Sequence, residues 1–302
     1  MIRIFFLFFY IISFIFTADQ TNNQHPKMQS APLVSFGIIS DVQYCDCDKA
    51  GSRYYRSSLE KLRHAINELD NQHNDFIINL GDLIDRDYKS FEPVMEILNN
   101  TSTKIHHLTG NHDYSVKRRH KKRVQKMLTG EKAYRSFRKK GFRFIILNTC
   151  EVSTYSGVAG SARKARKIIA KMKEKGKPNA LDYNGGPGEE QLAWFRNELN
   201  MALSEDEKVL VFSHHPILPE GAYNSFRRDS LLNIVSDYSN IIAWFSGHDH
   251  RGGYDNYNMT HFVTMKGMVE SPDKNAWALV EIYHNKLWIK GYGREKSQIL
   301  AY

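Results

Sequence analysis

The chain is 302 residues long, 41% hydrophobic and 25% charged, a balance that suits a soluble globular fold with a sizeable core and excludes a disordered chain. Three cysteines, Cys45, Cys47 and Cys150, are too few for a scaffold built on disulfides. A formal net charge of +9 points to anionic partners, with phosphorylated metabolites, nucleic acid and lipid headgroups all open at this level.

The first eighteen residues differ in kind from the rest. Arg3 precedes an apolar run over 4–16 interrupted only by Ser13, and Thr17-Ala18-Asp19 follows. A cationic end, a short apolar run and a small residue before polar sequence describe a secretory leader. The run is shorter than the ~20 apolar residues that span a bilayer. Residues 1–18 are therefore expected to direct export to a periplasmic, secreted or lumenal location. Retention as a membrane anchor is the alternative, because bulky Phe16 sits three residues before a cut after Ala18. Residues 19–31 read as a polar linker, and 32–302 as a single domain. Cys45 and Cys47 stand too close in sequence to bridge without strain, so free thiols are expected, with a bridge to Cys150 as the alternative.

Beyond the linker, short apolar runs at 33–39, 76–80, 105–109, 142–147, 209–212 and 241–245 are rich in β-branched and aromatic residues and predict buried strands. Leu59, Leu62, Ile66 and Leu69 recur at helical spacing between the first two, and Leu192, Phe195 and Leu199 mark a second helix over 191–203. Such alternation predicts an α/β fold. Two basic stretches, 117–126 and 163–177, read as solvated helix faces or as a positive rim that draws in an anion. Gly185-Gly186-Pro187-Gly188 lacks a following Lys-Ser/Thr and reads as a loop returning to the core. Near the C-terminus, 277–283 and 287–292 predict an antiparallel hairpin.

Five of the strands are followed by clusters of ligand-type residues: Asp41-Val42-Gln43, Gly81-Asp82-Leu83-Ile84-Asp85-Arg86, Gly110-Asn111-His112-Asp113, His214-His215-Pro216 and Gly247-His248-Asp249-His250. Singly, each is an ordinary turn or helix cap. Sites in α/β sheets form at the carboxyl ends of strands, so the five together predict one convergent site. Carboxylates, amide oxygens and imidazoles suit Mn²⁺, Fe²⁺ or Zn²⁺. Two such ions ~3.5–4 Å apart can hold a hydroxide between them and clamp a phosphoryl group during in-line displacement. One carboxylate must bridge them, and Asp82 is the natural candidate.

The ordered clusters resemble the calcineurin-like metallophosphoesterases, whose pattern is D-x-H, GD-x-x-D-R, GNH-D/E, H-x-P and GH-x-H. The resemblance covers 41–250 and implies a four-layer α/β/β/α sandwich in which 32–302 is the catalytic domain. It implies that Asp41, Gln43, Asp82 and His250 hold one metal, and that Asp82, Asn111, His214 and His248 hold the second. It further implies that His112 protonates the leaving oxygen or stabilises phosphoryl charge, that Asp113 orients His112, and that Arg86 supports the phosphate or the surroundings of the site. The departure is Gln43, where the family carries histidine; an oxygen ligand hardens the first position and favours Mn²⁺ over Zn²⁺. With SDVQYCDCD, INLGDLIDRD, YNGGPGEEQLAWF and KGMVE, that glutamine resembles the manganese-dependent ADP-ribose/CDP-alcohol diphosphatases.

The expected activity is thus hydrolysis of the diphosphate bond in nucleoside diphosphate-linked compounds by attack of a bridging hydroxide. A phosphomonoesterase or cyclic-nucleotide phosphodiesterase on the same dinuclear site is the alternative, since pocket contacts decide the substrate. Tyr44, Arg53, Tyr155, Tyr183 and the segment 266–270 are the pocket candidates. The expected partner is a small anionic nucleotide derivative. No nucleic acid is expected, because no aromatic platform interleaves with the basic runs. Membrane contact is expected only through the N-terminal segment, and the chain is expected to be a monomer.

Overall fold

A computed structural model describes residues 30–302, so the leader over 1–18 and most of the linker lie outside the described residues. In chain order the elements are β1 (Val34–Ile39), α1 (Ser57–Asn71), β2 (Phe76–Asn79), α2 (Phe91–Asn99), β3 (Ile105–His107), α3 (Lys121–Thr129), β4 (Arg135–Lys139), β5 (Phe142–Ile146), β6 (Val152–Ser153), α4 (Ser161–Glu174) and β7 (Gly185–Gly186). There follow α5 (Glu189–Ser204), β8 (Lys208–Ser213), α6 (Arg228–Ser236), β9 (Ile241–Ser246), β10 (Gly253–Tyr257), β11 (Thr260–Thr264), β12 (Ala276–Ile282), β13 (Lys286–Gly293) and β14 (Gln298–Ala301).

Two six-stranded sheets result, with orders β14-β13-β12-β1-β2-β3 and β10-β11-β9-β8-β5-β4. Within the first, β1, β2 and β3 run parallel; within the second, β5, β8, β9 and β11 do. All six expected strands are present, and their apolar runs are continuous because each faces the other sheet on one side and helices on the other. Phe36 is the hub between the sheets. Its ring stacks on Phe76 at 5.1 Å and meets Phe144, Phe212 and Phe245 edge-on at 6.0, 5.8 and 6.2 Å. Truncating such a side chain to alanine costs about 3–5 kcal/mol.

The outer layers follow from helical periodicity. Leu62, Ala65, Ile66 and Leu69 of α1 pack with α2 and α3 on the first sheet, while Leu192, Phe195 and Leu199 of α5 pack with α6 on the second. Helix, sheet, sheet, helix is the four-layer α/β arrangement expected. Helix α2 carries Pro93 in its first turn, where the missing N–H has no partner to lose. The C-terminal hairpin is β12–β13, paired from Ala276↔Gly293 to Ile282↔Leu287, and β12 docks antiparallel on β1. The basic stretches lie mainly on α3 and α4, which turn Val124, Leu128, Ala165 and Ile169 inward and most of their cations outward. Gly185 and Gly186 return the chain by pairing with Ser153 and Val152.

Candidate metal centre

Because β1, β2 and β3 are parallel in one sheet, and β8 and β9 in the other, five loops leave strand ends at a common edge. These loops carry all seven residues expected to hold metal. Asp41, Gln43, Asp82 and His214 have no solvent exposure, and Asn111 and His248 are also buried. The contacts form a chain. His250 Nε2 lies 3.4 Å from Asp41 Oδ1 and 3.0 Å from the Gln43 amide nitrogen. That nitrogen donates to Asp82 Oδ2 at 3.2 Å, and the same oxygen stands 3.4 Å from His214 Nε2. His214 Nε2 is in turn 3.1 Å from Asn111 Oδ1, and the His248 ring centres 5.0 Å from that of His214.

The backbone is bent to achieve this. Asp41, Gln43, Asp82 and His248 adopt positive φ of 52°, 44°, 56° and 68°. Left-handed conformations in non-glycine residues store strain that the surrounding fold must hold. Glycine is needed where the loops touch: a Cβ on Gly110 would lie 2.6 Å from Asp82 Cγ, and one on Gly247 would lie 2.6 Å from Asp41 Oδ2.

The donor set fits a pair of divalent cations. Asp41, Asp82 and His214 can bring ligand atoms within 4.8 Å of one another, as can His214, His215 and His248. Gln43 Oε1 is buried without a hydrogen-bond partner, a state that a polar atom tolerates poorly unless something else satisfies it. Each expected histidine ligand has one ring nitrogen held from outside: His214 Nδ1 by the Leu80 carbonyl at 2.9 Å, His248 Nε2 by Asn184 Oδ1 at 2.9 Å, and His250 Nδ1 by Glu270 at 2.7 Å. Such partners fix the tautomer and leave the other nitrogen for a metal. His215 differs. Thr149 Oγ1 sits 2.8 Å from its Nδ1 and Tyr155 Oη 3.1 Å from its Nε2, so both nitrogens are already engaged.

Electrostatics agree with a cation site. Burial favours a neutral Asp82, yet the imidazoles of His214 and His112 outweigh it and hold the carboxyl well below the usual range. Burial likewise opposes charge on His214 and His250, but Asp82 raises the first to about 9, and Asp41 with Glu270 raises the second to about 9. Without metal, protons therefore balance the carboxylates, and a metal held by these residues would displace them.

Three expectations are corrected. Asp113 does not orient His112: its carboxylate accepts the backbone N–H groups of Gly110, Asp82 and Leu83 at 2.9, 3.0 and 2.8 Å. His112 and Asp113 are consecutive in a tight 3₁₀ turn, so their side chains diverge. Asp85 takes the role, with Oδ1 3.0 Å from His112 Nδ1. Arg86 is exposed, turned outward by a φ of 67°, with its guanidinium 5.3 Å from the Tyr55 ring centre. The cation at the site is Arg53, whose Nη1 is 3.4 Å from His112 Nε2. Finally, Cys45 and Cys47 are bridged, because a bend at Asp46 and Cys47 brings their Cα atoms to 5.3 Å, within disulfide reach. Cys150 is buried and free.

A cavity of about 370 Å³ opens beside His248 and His250, lined also by Arg53, Tyr223, Arg251 and Glu270. Tyr183 stands at its edge, with its ring centre 5.8 Å from those of both Tyr223 and His248. Tyr155 is instead packed behind the site against His215, and Lys266 turns away to donate to the Arg294 carbonyl. Asn184, Glu270 and Asp85 were not assigned as supports from sequence; the signal available was their place in YNGGP, KGMVE and GDLIDR.

Comparison with known proteins places this geometry. The calcineurin-like phosphoesterase family matches over residues 34–252. The human manganese-dependent ADP-ribose/CDP-alcohol diphosphatase is 30% identical over 94% of this chain and 97% of its own. The rice (japonica) protein of the same name is 30% identical over 90% of this chain and 95% of its own. A dimetal phosphatase structure from Danio rerio, 24% identical, superposes with a TM-score of 0.81 over 90% of this chain and 99% of that one. The chain belongs to the calcineurin-like phosphoesterase family and is a dinuclear metal-dependent hydrolase.

Proposed function

We propose that the protein is a manganese-dependent diphosphatase that cleaves nucleoside diphosphate-linked compounds such as ADP-ribose and CDP-alcohols. The observation that carries this reading is Gln43, an amide with a buried, unpartnered oxygen at a position where the family pattern has histidine. The names of relatives aligned over nearly the whole chain support the same substrate class.

Asp41, Gln43, Asp82 and His250 would hold one ion, and Asp82, Asn111, His214 and His248 the other. When bound, the pair neutralises phosphoryl charge and activates the attacking water. The chain's own groups do the rest. Asp85 accepts from His112 Nδ1 and orients the ring, so that Nε2, in the doubly protonated ring, can give its proton to the leaving oxygen. Arg53 stands beside that nitrogen and meets the charge that builds on the phosphoryl oxygens. Tyr223 and Tyr183 offer ring faces to a base next to His248. A panel of ADP-ribose, CDP-choline, cyclic AMP and p-nitrophenyl phosphate with Mn²⁺ tests the reading. Highest kcat/KM on the first two is expected; higher kcat/KM on cyclic AMP or p-nitrophenyl phosphate would replace it with the phosphodiesterase or monoesterase alternative. Residues 1–18 are read as an export leader, to be checked by cell fractionation and N-terminal sequencing.

A further inference from the structure

Helix α1 turns a cation inward. Lys61 is 6% exposed and lies on the face that also buries Leu62 and Ala65. Its Nζ donates to the carbonyls of Met268, Glu270 and Ser271 at 2.5, 3.2 and 2.8 Å, so three N–H donors meet three acceptors. Burial and the nearby Arg294 charge lower its pKa to about 8, which leaves the ammonium protonated at pH 7. A buried ammonium met by neutral carbonyls is costly, and a methionine would fill a similar volume without that cost. Packing alone therefore does not call for a lysine here.

The segment that Lys61 grips joins two loops of the metal centre. Met268 and Val269 donate their N–H groups to the Ser40 and Asp41 carbonyls, both at 3.0 Å, and Gly267 donates to the His250 carbonyl at 3.2 Å. Glu270 Oε1 stands 2.7 Å from His250 Nδ1. The two carbonyls that Lys61 does not reach are also held, that of Val269 by the Tyr54 N–H at 2.9 Å and that of Gly267 by Arg294 Nη2. Every carbonyl from 267 to 271 thus has a donor. A Cβ on Gly267 would lie 2.6 Å from His250 Cγ, so the segment is pressed against the imidazole and its placement is passed to the ring. Asn275 Nδ2 donates to the Lys61 carbonyl at 2.7 Å and seats α1 against the far end of the same loop.

We propose that Lys61 is a positioning residue for the first metal position. By fixing the 267–271 segment it keeps Glu270 on His250 Nδ1 and holds His250 Nε2 toward Asp41 and Gln43. The proposal rests on the assignment of His250 to that ion.

The experiment equilibrates the Mn²⁺-loaded full-length protein with a series of chelator-buffered Mn²⁺ concentrations and counts the bound ion. Wild type should hold two ions and His250→Ala one. Lys61→Met should hold both, with one of them lost at about tenfold higher free Mn²⁺ than in wild type. Glu270→Ala should show a similar loss. Adding Lys61→Met to Glu270→Ala should cost less than about twofold more, because the lysine acts through the glutamate. Lys61→Gln removes the charge but keeps an amide donor; it is measured with the same expectations and decides the question if the methionine variant does not fold. Wild-type Mn²⁺ binding in the Lys61 variants overturns the proposal. So does an equal loss with and without Glu270, which would mark a general structural role. Retention of both ions by His250→Ala would remove the assignment on which the proposal rests, and the proposal with it.

Discussion

Asp85 Oδ1 lies 3.0 Å from His112 Nδ1, and it does so from the far end of the β2 loop, twenty-seven positions away in sequence. This dyad fixes the orientation of the His112 ring and sets a carboxylate against the charge of its proton-donating form. His112→Ala is expected to lower kcat by ~10²–10⁴-fold with metal content retained. Asp85→Asn should cost less, about 10–10²-fold, because the ring stays but loses the carboxylate that orients it and balances its charge. Both losses should shrink for p-nitrophenyl phosphate, whose leaving group needs no proton. Equal losses for alkyl and nitrophenyl leaving groups would assign His112 to charge stabilisation.

Asp113 carries a different load. Its carboxylate is fully buried and accepts from four backbone N–H groups, those of Gly110, Asp82, Leu83 and Ile84, beneath the site. Asp113→Ala is expected to reduce stability by about 3 kcal/mol or more, read by chemical denaturation. A variant that keeps wild-type stability but loses turnover would restore a direct role beside His112.

Gln43→His places a softer nitrogen where the amide oxygen stood. Metal content after exposure to equal Mn²⁺ and Zn²⁺ should move toward Zn²⁺. An unchanged ratio would remove Gln43 from the ligands.

Acid sensitivity should trace in part to His106, away from the metal centre. Burial and the nearby Arg135 charge depress its imidazole to about 3, and its ring stacks on Phe137 at 4.1 Å. The unfolded chain binds this proton below about 6.5 while the folded chain does not, so stability is lost as pH falls from about 6.5 toward 3. His106→Phe keeps the stack and should remove about 2 kcal/mol of the stability difference between pH 7 and pH 5. Identical pH profiles for variant and wild type would exclude His106 as a contributor.

The outward cations on and before α3 offer a kinetic test. Arg119, Lys122 and Arg123 are exposed, and neutralising them to glutamine should lower kcat/KM at low salt and converge on wild type as screening rises, with a Debye length of ~8 Å at physiological salt. A constant ratio at every ionic strength would mark a solvated face without a steering role.

The central strands were legible in sequence because both their faces are hidden, which forces unbroken apolar runs. The edges were not. Strand β4 reads RSFRK because Arg138 and Lys139 reach across to acids, Arg138 to Glu207 at 2.5 Å and Lys139 to Asp75 at 2.8 Å. Strand β10, GYDNY, is a partly exposed edge without a period to detect. The candidate ligands were legible because metal chemistry restricts residue type. Their supports were not, since Leu80 offers only a carbonyl and the stretches YNGGP and KGMVE mark Asn184 and Glu270 without showing which imidazole each one meets. Chain proximity misled at Asp113, where a tight turn parts neighbours that sequence places side by side.

His248 donates its N–H to Asp41 Oδ2 at 3.1 Å across 207 positions, joining a loop of one sheet to a loop of the other. Candidate ligands drawn from both halves of the sandwich exist as a set only after the halves have docked, so an unfolded chain presents no comparable site. Metals bound there would consequently clasp the native state, and at a concentration one hundred times the dissociation constant such a ligand adds ~2.7 kcal/mol of stability. Separation of the two sheets, even if each kept its strands paired, would release the ions. Metal retention therefore reports whether the whole sandwich is closed, and scarcity of the ion would be felt first as a loosening of the fold.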